Sequence, residues 1–176
     1  MLSTDQKGSI AEMAIAYAAI KLHIGVFKPL NDGERYDLIF DLRPALVRVQ
    51  CKWAVRRGSV VEVRCYSCRR GKNGMIRRGY SPWEIDAFAV YCADLDTCYF
   101  LPIREVSPQQ RIYLRLEPSQ NNQRRRIKWA EDFRFEARLG DSGAVAQLGE
   151  RQSGTLEVTG SSPVGSTFDD DPSGHL

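Results

Sequence analysis

A chain of 176 residues, 43% of them hydrophobic, suits one domain with a real core and is short for two. No stretch approaches the roughly 18 uninterrupted apolar residues of a membrane span, and the N-terminus lacks a basic leader and cleavage site, so a soluble, unexported protein is expected. The net charge of +3 hides an asymmetry: from Leu139 onward one arginine stands against six acids, leaving residues 1–138 with +8 and favouring a polyanionic partner.

The first predicted element is an amphipathic helix from Gln6 to Leu22. Ile10, Met13, Ala14, Tyr17, Ala18 and Ile20 recur in it at three- and four-residue spacings, with Thr4 or Asp5 as N-cap and Gly25 as a stop. Short strands follow at Val26–Lys28, Tyr36–Asp41, Ala45–Trp53 and Ser59–Tyr66, punctuated by Asn31-Asp32-Gly33, Arg43-Pro44 and Arg57-Gly58. Leu46 to Lys52 alternates with period two, placing Val47, Val49 and Cys51 on one face and Gln50 and Lys52 on the other. Ser81-Pro82-Trp83-Glu84 reads as a helix start. A hairpin of apolar strands, Ala87–Ala93 and Cys98–Ile103, comes next, then a strand at Arg111–Leu116 and a short basic stretch, Gln123–Phe135.

One helix followed by many strands gives an α/β domain, a mixed central sheet flanked by helices, over residues 1–138. Residues 139–176, rich in Gly, Ser, Thr and Asp without a sustained period, read as a disordered acidic tail. Within that tail Gly160-Ser161-Ser162-Pro163 can be encoded by GGT-TCG-AGT-CC, the shape of a transfer-RNA T-arm. Ala146 to Arg151 resembles a translated D-arm, and the hypothesis is a reading frame that runs into a tRNA gene.

The chemistry concentrates in two neighbouring strands. Asp37 precedes Gln50 by thirteen positions, and a tight turn between their strands brings it close to Gln50 and Lys52. A carboxylate, an amide oxygen and the Cys51 backbone carbonyl are the hard oxygen ligands that Mg²⁺ prefers, with Mn²⁺ as a substitute. Lys52 can orient a water or balance negative charge developing on a phosphate, and Glu12 can reach the same centre if its side of the helix faces the sheet. Singly, Asp37 reads as a turn carboxylate and Lys52 as a solvated charge; their register makes them a site. Asp86 reads as a structural residue, and His23 and His175 have no partners for a catalytic triad.

Around this centre, Arg69, Arg70, Lys72, Arg77 and Arg78 crowd one Gly-containing run, and Arg56, Arg57, Arg124, Arg125, Arg126 and Lys128 extend a basic surface suited to duplex DNA. The five cysteines, Cys51, Cys65, Cys68, Cys92 and Cys98, are odd in number and set in apolar or strand-like runs. Ordinary thiols in a reducing cytoplasm, prokaryotic or organellar matrix, explain them better than a disulfide framework or a zinc site.

At these residues the chain resembles the PD-(D/E)XK nuclease superfamily, whose pattern is a helix bearing Glu, a strand bearing Asp, and a next strand carrying Glu, Asp or Gln, one residue, then Lys. The matching runs are Lys7 to Glu12, Glu34 to Phe40 and Val47 to Lys52, with Tyr80 to Tyr91 and Tyr99 to Ile103 also similar, so the resemblance covers residues 5–135. Gln at the third position is shared with the small group I intron-encoded homing endonucleases of this fold; the Pro of the family name is missing before Asp37. The resemblance implies a Mg²⁺-dependent DNA endonuclease with Glu12, Asp37, Gln50 and Lys52 as catalytic residues and Glu12, Asp37, Gln50 and the Cys51 carbonyl toward metal. It further implies a homodimer or homotetramer, because cutting both strands needs two centres. Rival readings are a Holliday-junction resolvase or restriction-type nuclease on the same core, and a DNA-binding module that has lost catalysis.

Overall fold

The computed structural model describes residues 1–31, 33–72, 74–106, 110–118 and 127–140; the tail reading and Arg124, Arg125 and Arg126 therefore lie outside the described residues. In chain order come α1 (Thr4–Lys21), β1 (Gly25–Phe27), β2 (Leu38–Asp41), β3 (Leu46–Arg57), β4 (Val60–Arg64), β5 (Ser67–Gly71), β6 (Gly74–Arg78), β7 (Ala87–Cys92), β8 (Thr97–Pro102), α2 (Ile103–Val106), β9 (Arg111–Arg115), β10 (Lys128–Trp129) and α3 (Phe135–Leu139). They build the expected α/β mixed sheet, although α1 is the sole helix longer than five residues among the described ones.

Strand β3 organises the sheet. Its N-terminal part pairs antiparallel with β2, its middle parallel with β7, and its C-terminal end antiparallel with β4, which continues to β9 and β10. Strands β1 and β8 extend the sheet beyond β2 and β7, while β5 and β6 form a separate two-stranded ribbon. A 12-residue strand can serve three partners because each uses a different part of its length.

Helix α1 is started by Ser3, whose Oγ accepts from Gln6 N at 3.1 Å while the Gln6 side chain accepts from Ser3 N at 2.9 Å. This reciprocal cap satisfies two donors that the first turn leaves open, and it moves the N-cap from the expected Thr4 or Asp5 to Ser3. The helix ends at Leu22, with His23 in the left-handed region, so Gly25 opens β1 instead of stopping α1.

The buried face of α1 also differs from the sequence reading. Ala11, Ile15 and Ala19 are at most 1% exposed, whereas Ile10, Met13, Tyr17 and Ile20 lie on the opposite side, exposed. Small alanines let the helix approach the sheet, where it covers Val47, Val49, Cys51, Ala87, Ala89 and Phe100. Phe40, Phe100 and Phe135 meet under it with ring centroids 6.1–6.4 Å apart. The other sheet face holds a second cluster, including Val61, Val63, Phe88, Val90, Leu101, Ile112, Leu114 and Phe133.

Ser81 to Glu84 makes a single turn, not a helix. Glu84 N and Ile85 N both donate to Ser81 O, and the Glu84 carboxylate accepts from Ser81 N and Oγ. Strand pairing then takes over: Ile85 enters the core and Asp86 N donates to Arg48 O at 2.9 Å. Asp86 ends no helix; it precedes β7 and holds the Arg48 guanidinium with both carboxylate oxygens.

Phe100→Ala is expected to lower stability by about 3–5 kcal/mol in urea denaturation, because it opens a cavity at the aromatic cluster. Ser3→Ala should cost about 1 kcal/mol through loss of the cap.

Candidate active site

The register of β2 and β3 brings the first pair together. Leu38 stands opposite Val49, and Asp37 N donates to Val49 O at 2.9 Å, so the ladder runs one residue past β2 and sets Asp37 beside Gln50. Asp37 Oδ2 accepts from Cys51 N at 2.8 Å and, in a short hydrogen bond, from Gln50 Nε2. The same Nε2 lies 3.4 Å from the Cys51 carbonyl oxygen. One amide hydrogen donor thus bridges two oxygens, a position that also suits a small cation. Rotation of the amide exchanges Nε2 for Oε1 and turns the three groups into a set of oxygen donors.

Electrostatics agree with that use. Burial pushes the Asp37 carboxyl above its ordinary value; the bond from Cys51 N opposes this, the Glu12 charge adds to it, and Lys52 and Lys28 offset it. A carboxylate that its surroundings do not fully compensate is a position where a divalent cation gains most.

Glu12 sits at the edge of the buried face of α1 and is neither sealed in nor turned wholly to solvent. It accepts from Lys28 Nζ at 2.9 Å. Alternation places the Cys51 side chain under α1, and burial drives its thiol well upward, leaving its backbone to serve the site. Lys52 lies on the opposite face, with Nζ 3.2 Å from Tyr80 Oη and 3.4 Å from the Tyr66 carbonyl.

Four participants were not in the predicted set: Lys28, Arg35, Tyr66 and Tyr80. Arg35 lies over the Tyr80 ring at 4.0 Å and donates to Glu84, Ser67 Oγ and Gly79 O. No local pattern marks them, because their partners are distant in sequence.

Of the expected DNA contacts, Arg69, Arg70, Lys72, Arg77 and Arg78 lie on the exposed β5–β6 ribbon and its turn, whose root touches Lys52. Arg78 pairs with Glu84 and Arg77 lies 5.2 Å over the Tyr66 ring. Arg56 and Arg57 are separate, roughly 15 Å further along β3. Arg57, with Arg64 and Arg111, surrounds the buried Glu62. Lys128 sits on β10, where its Nζ donates to Glu105 O.

All five cysteines are free, and burial pushes the Cys65 and Cys98 thiols up to about 12. Among the described residues no group of three or more His, Cys, Asp and Glu is placed to hold a metal, so neither a zinc cluster nor an all-carboxylate centre is present there. No helix among them is long and apolar enough to cross a membrane.

A strand-borne Asp, a cross-strand Gln and a Lys two residues on, on a mixed sheet covered by one helix, define a class of nuclease. Residues 2–136 match the family model for PD-(D/E)XK endonuclease, and the chain belongs to that family. It is similar to the solved structure of a bacterial homing endonuclease, I-Ssp6803I, with 28% identity and a TM-score of 0.65 over 83% of this chain and 98% of that one. No curated protein matches the chain.

The raised Asp37 carboxyl carries a stability consequence. A group whose folded pKa exceeds its unfolded value stabilises the protein below the unfolded pKa, and that contribution is lost as pH rises through the folded one. Asp37→Asn is therefore expected to raise the thermal unfolding midpoint at pH 7 in a chelator; a lowered midpoint would contradict this account of the site.

Proposed function

We propose that the protein is a Mg²⁺-dependent endonuclease of duplex DNA, and more narrowly a site-specific homing endonuclease associated with a tRNA-gene intron. The observation that carries the nuclease reading is the cross-strand pair Asp37–Gln50 with Lys52 two residues beyond, in a chain of the PD-(D/E)XK family. The homing reading is supported by the similarity to a bacterial homing endonuclease and by the tRNA-like coding pattern of residues 146–163.

In this reading Asp37, the Gln50 amide oxygen and the Cys51 carbonyl would hold Mg²⁺, with Mn²⁺ as a substitute and Glu12 assisting through the cation or a water. The cation would polarise the scissile phosphate and acidify water. Lys52 donates hydrogen bonds and charge where the nucleophile and the pentacoordinate phosphate develop negative charge. Arg69, Arg70, Lys72, Arg77 and Arg78 grip the backbone beside that centre, and Arg56 and Arg57 do so farther along; Arg124, Arg125 and Arg126 would extend the grip.

Two centres cut two strands, so the working form is a homodimer or homotetramer. The outward stripe Ile10, Met13, Tyr17 and Ile20 of α1 offers a second copy an apolar surface. The five free thiols suit the reducing interior of a prokaryote or an organelle.

Lys52→Ala should lower plasmid cleavage in Mg²⁺ by about a hundredfold or more while leaving DNA binding intact, and a chelator should abolish wild-type cleavage. Wild type and variant that bind DNA yet are equally inert would point to a binding module. For the homing assignment the substrate is the intron-less form of the neighbouring tRNA gene: one cut in a long duplex is expected, whereas cutting confined to branched junctions would make the protein a resolvase.

A further inference from the structure

The β5–β6 ribbon is exposed along nearly its whole length, and none of its residues belongs to either apolar cluster. Its direction is therefore set at its root, where Arg35 donates to Ser67 Oγ at 3.0 Å, Gly79 O at 2.7 Å and Glu84 Oε1 at 3.1 Å, and Arg78 pairs with the same glutamate. The root also carries the two groups that hold Lys52: the Tyr66 carbonyl, one residue before β5, and Tyr80 Oη, two residues after β6. An ammonium has three donors, so two acceptors on the ribbon root leave one hydrogen to be aimed at a substrate.

Tyr80 is itself held by three neighbours. Its plane meets Phe88 edge-on at 5.3 Å, and the Arg35 guanidinium and Lys52 ammonium lie 4.0 and 4.9 Å from its centroid. Phe88 stands opposite Gln50 in the β3–β7 pairing, so the ring rests beside the strand that carries Gln50 and Lys52. A two-stranded ribbon fits the major groove of DNA, and Arg70 and Arg77 share one face of this one with Met75.

We infer that Tyr80 is a positioning residue for Lys52 and that it couples the seating of the β5–β6 ribbon on DNA to the aim of the Lys52 amine. This rests on the nuclease reading. Tyr80 touches no reacting atom; it acts by fixing a donor whose misplacement costs rate more than affinity.

Tyr80→Phe tests this, because the ring, its contact with Phe88 and its attraction for Arg35 survive and the hydroxyl alone is lost. On a linear duplex that wild type cuts, at saturating protein and Mg²⁺, the single-turnover rate is expected to fall about ten- to a hundredfold. The duplex Kd and the unfolding midpoint should stay unchanged. A wild-type rate, or a loss that follows a weakened Kd or a lowered midpoint, overturns the assignment.

The coupling has its own arm in the double variant Arg70→Ala, Arg77→Ala. Saturating DNA concentrations should restore binding but not the full single-turnover rate, and full recovery would show that the ribbon supplies affinity alone. Wild-type protein that cuts no DNA under any of these conditions would sink the nuclease reading itself, an outcome separate from Tyr80→Phe cutting as fast as wild type.

Discussion

The pairing register of β2 and β3 is the constraint on which both the core and the site depend. Leu38 opposite Val49 and Phe40 opposite Val47 put apolar side chains under α1, and the same alignment brings Asp37 beside Gln50. A slip of one residue would turn Gln50 and Lys52 into the apolar layer and Cys51 away from it. Burial of Val47, Val49 and Phe40 makes that slip costly, so hydrophobic packing on one face holds the polar constellation on the other. The parallel alignment of β7 along Val49 to Ala54 holds the central part of β3 from another strand.

Charge is distributed with the same economy. Acidic side chains absorb much of the basic excess: Asp86 takes Arg48, Glu84 takes Arg35 and Arg78, and the buried Glu62 takes Arg57, Arg64 and Arg111. Arg69, Arg70, Lys72 and Arg77 belong to no ion pair among the described residues, and they share one ribbon beside Lys52. Those of these pairs that stay exposed contribute little to stability, about 0–1 kcal/mol each. Their greater consequence here is where the unneutralised charge stands. The Glu84 cluster joins these two roles, since it neutralises arginines and fixes the ribbon root. Although burial opposes it, Ser81 and the charges of Arg35 and Arg78 hold the Glu84 carboxyl below its usual value.

How much of this was legible depends on how local each signal is. The alternation from Leu46 to Lys52 is a property of one strand, and the pairing of Asp37 with Gln50 follows once a tight turn joins two strands; both could be read directly. The family resemblance supplied Glu12, which the periodicity of α1 alone left open. That periodicity misled about the helix's inner face, because an alanine-rich helix offers two stripes. Packing against the sheet chose the alanine one and turned Ile10, Met13, Tyr17 and Ile20 outward. Ser81-Pro82 carries a sound helix-start signal, yet the pull of Ile85 into the core and of Asp86 onto β3 ends the helix after a turn. The Tyr80–Lys52 and Arg35–Glu84 contacts span 28 and 49 positions and leave no periodic trace.

Gln50 shows why a neutral third residue suits this scaffold. At 8% exposure, a second carboxylate beside Asp37 would be desolvated against a like charge, and one of the two would be driven to hold a proton. An amide keeps an oxygen for a cation and, in its absence, donates to Asp37, so the fold does not carry two opposed buried charges. The same neutrality means fewer negative ligands, which weakens the hold on a hard cation. On the proposed reading, the phosphate of a bound duplex would supply the missing negative oxygen. Asp37, Gln50 and the Cys51 carbonyl would then hold the cation most strongly with DNA seated, which would join substrate recognition and assembly of the centre in a single event.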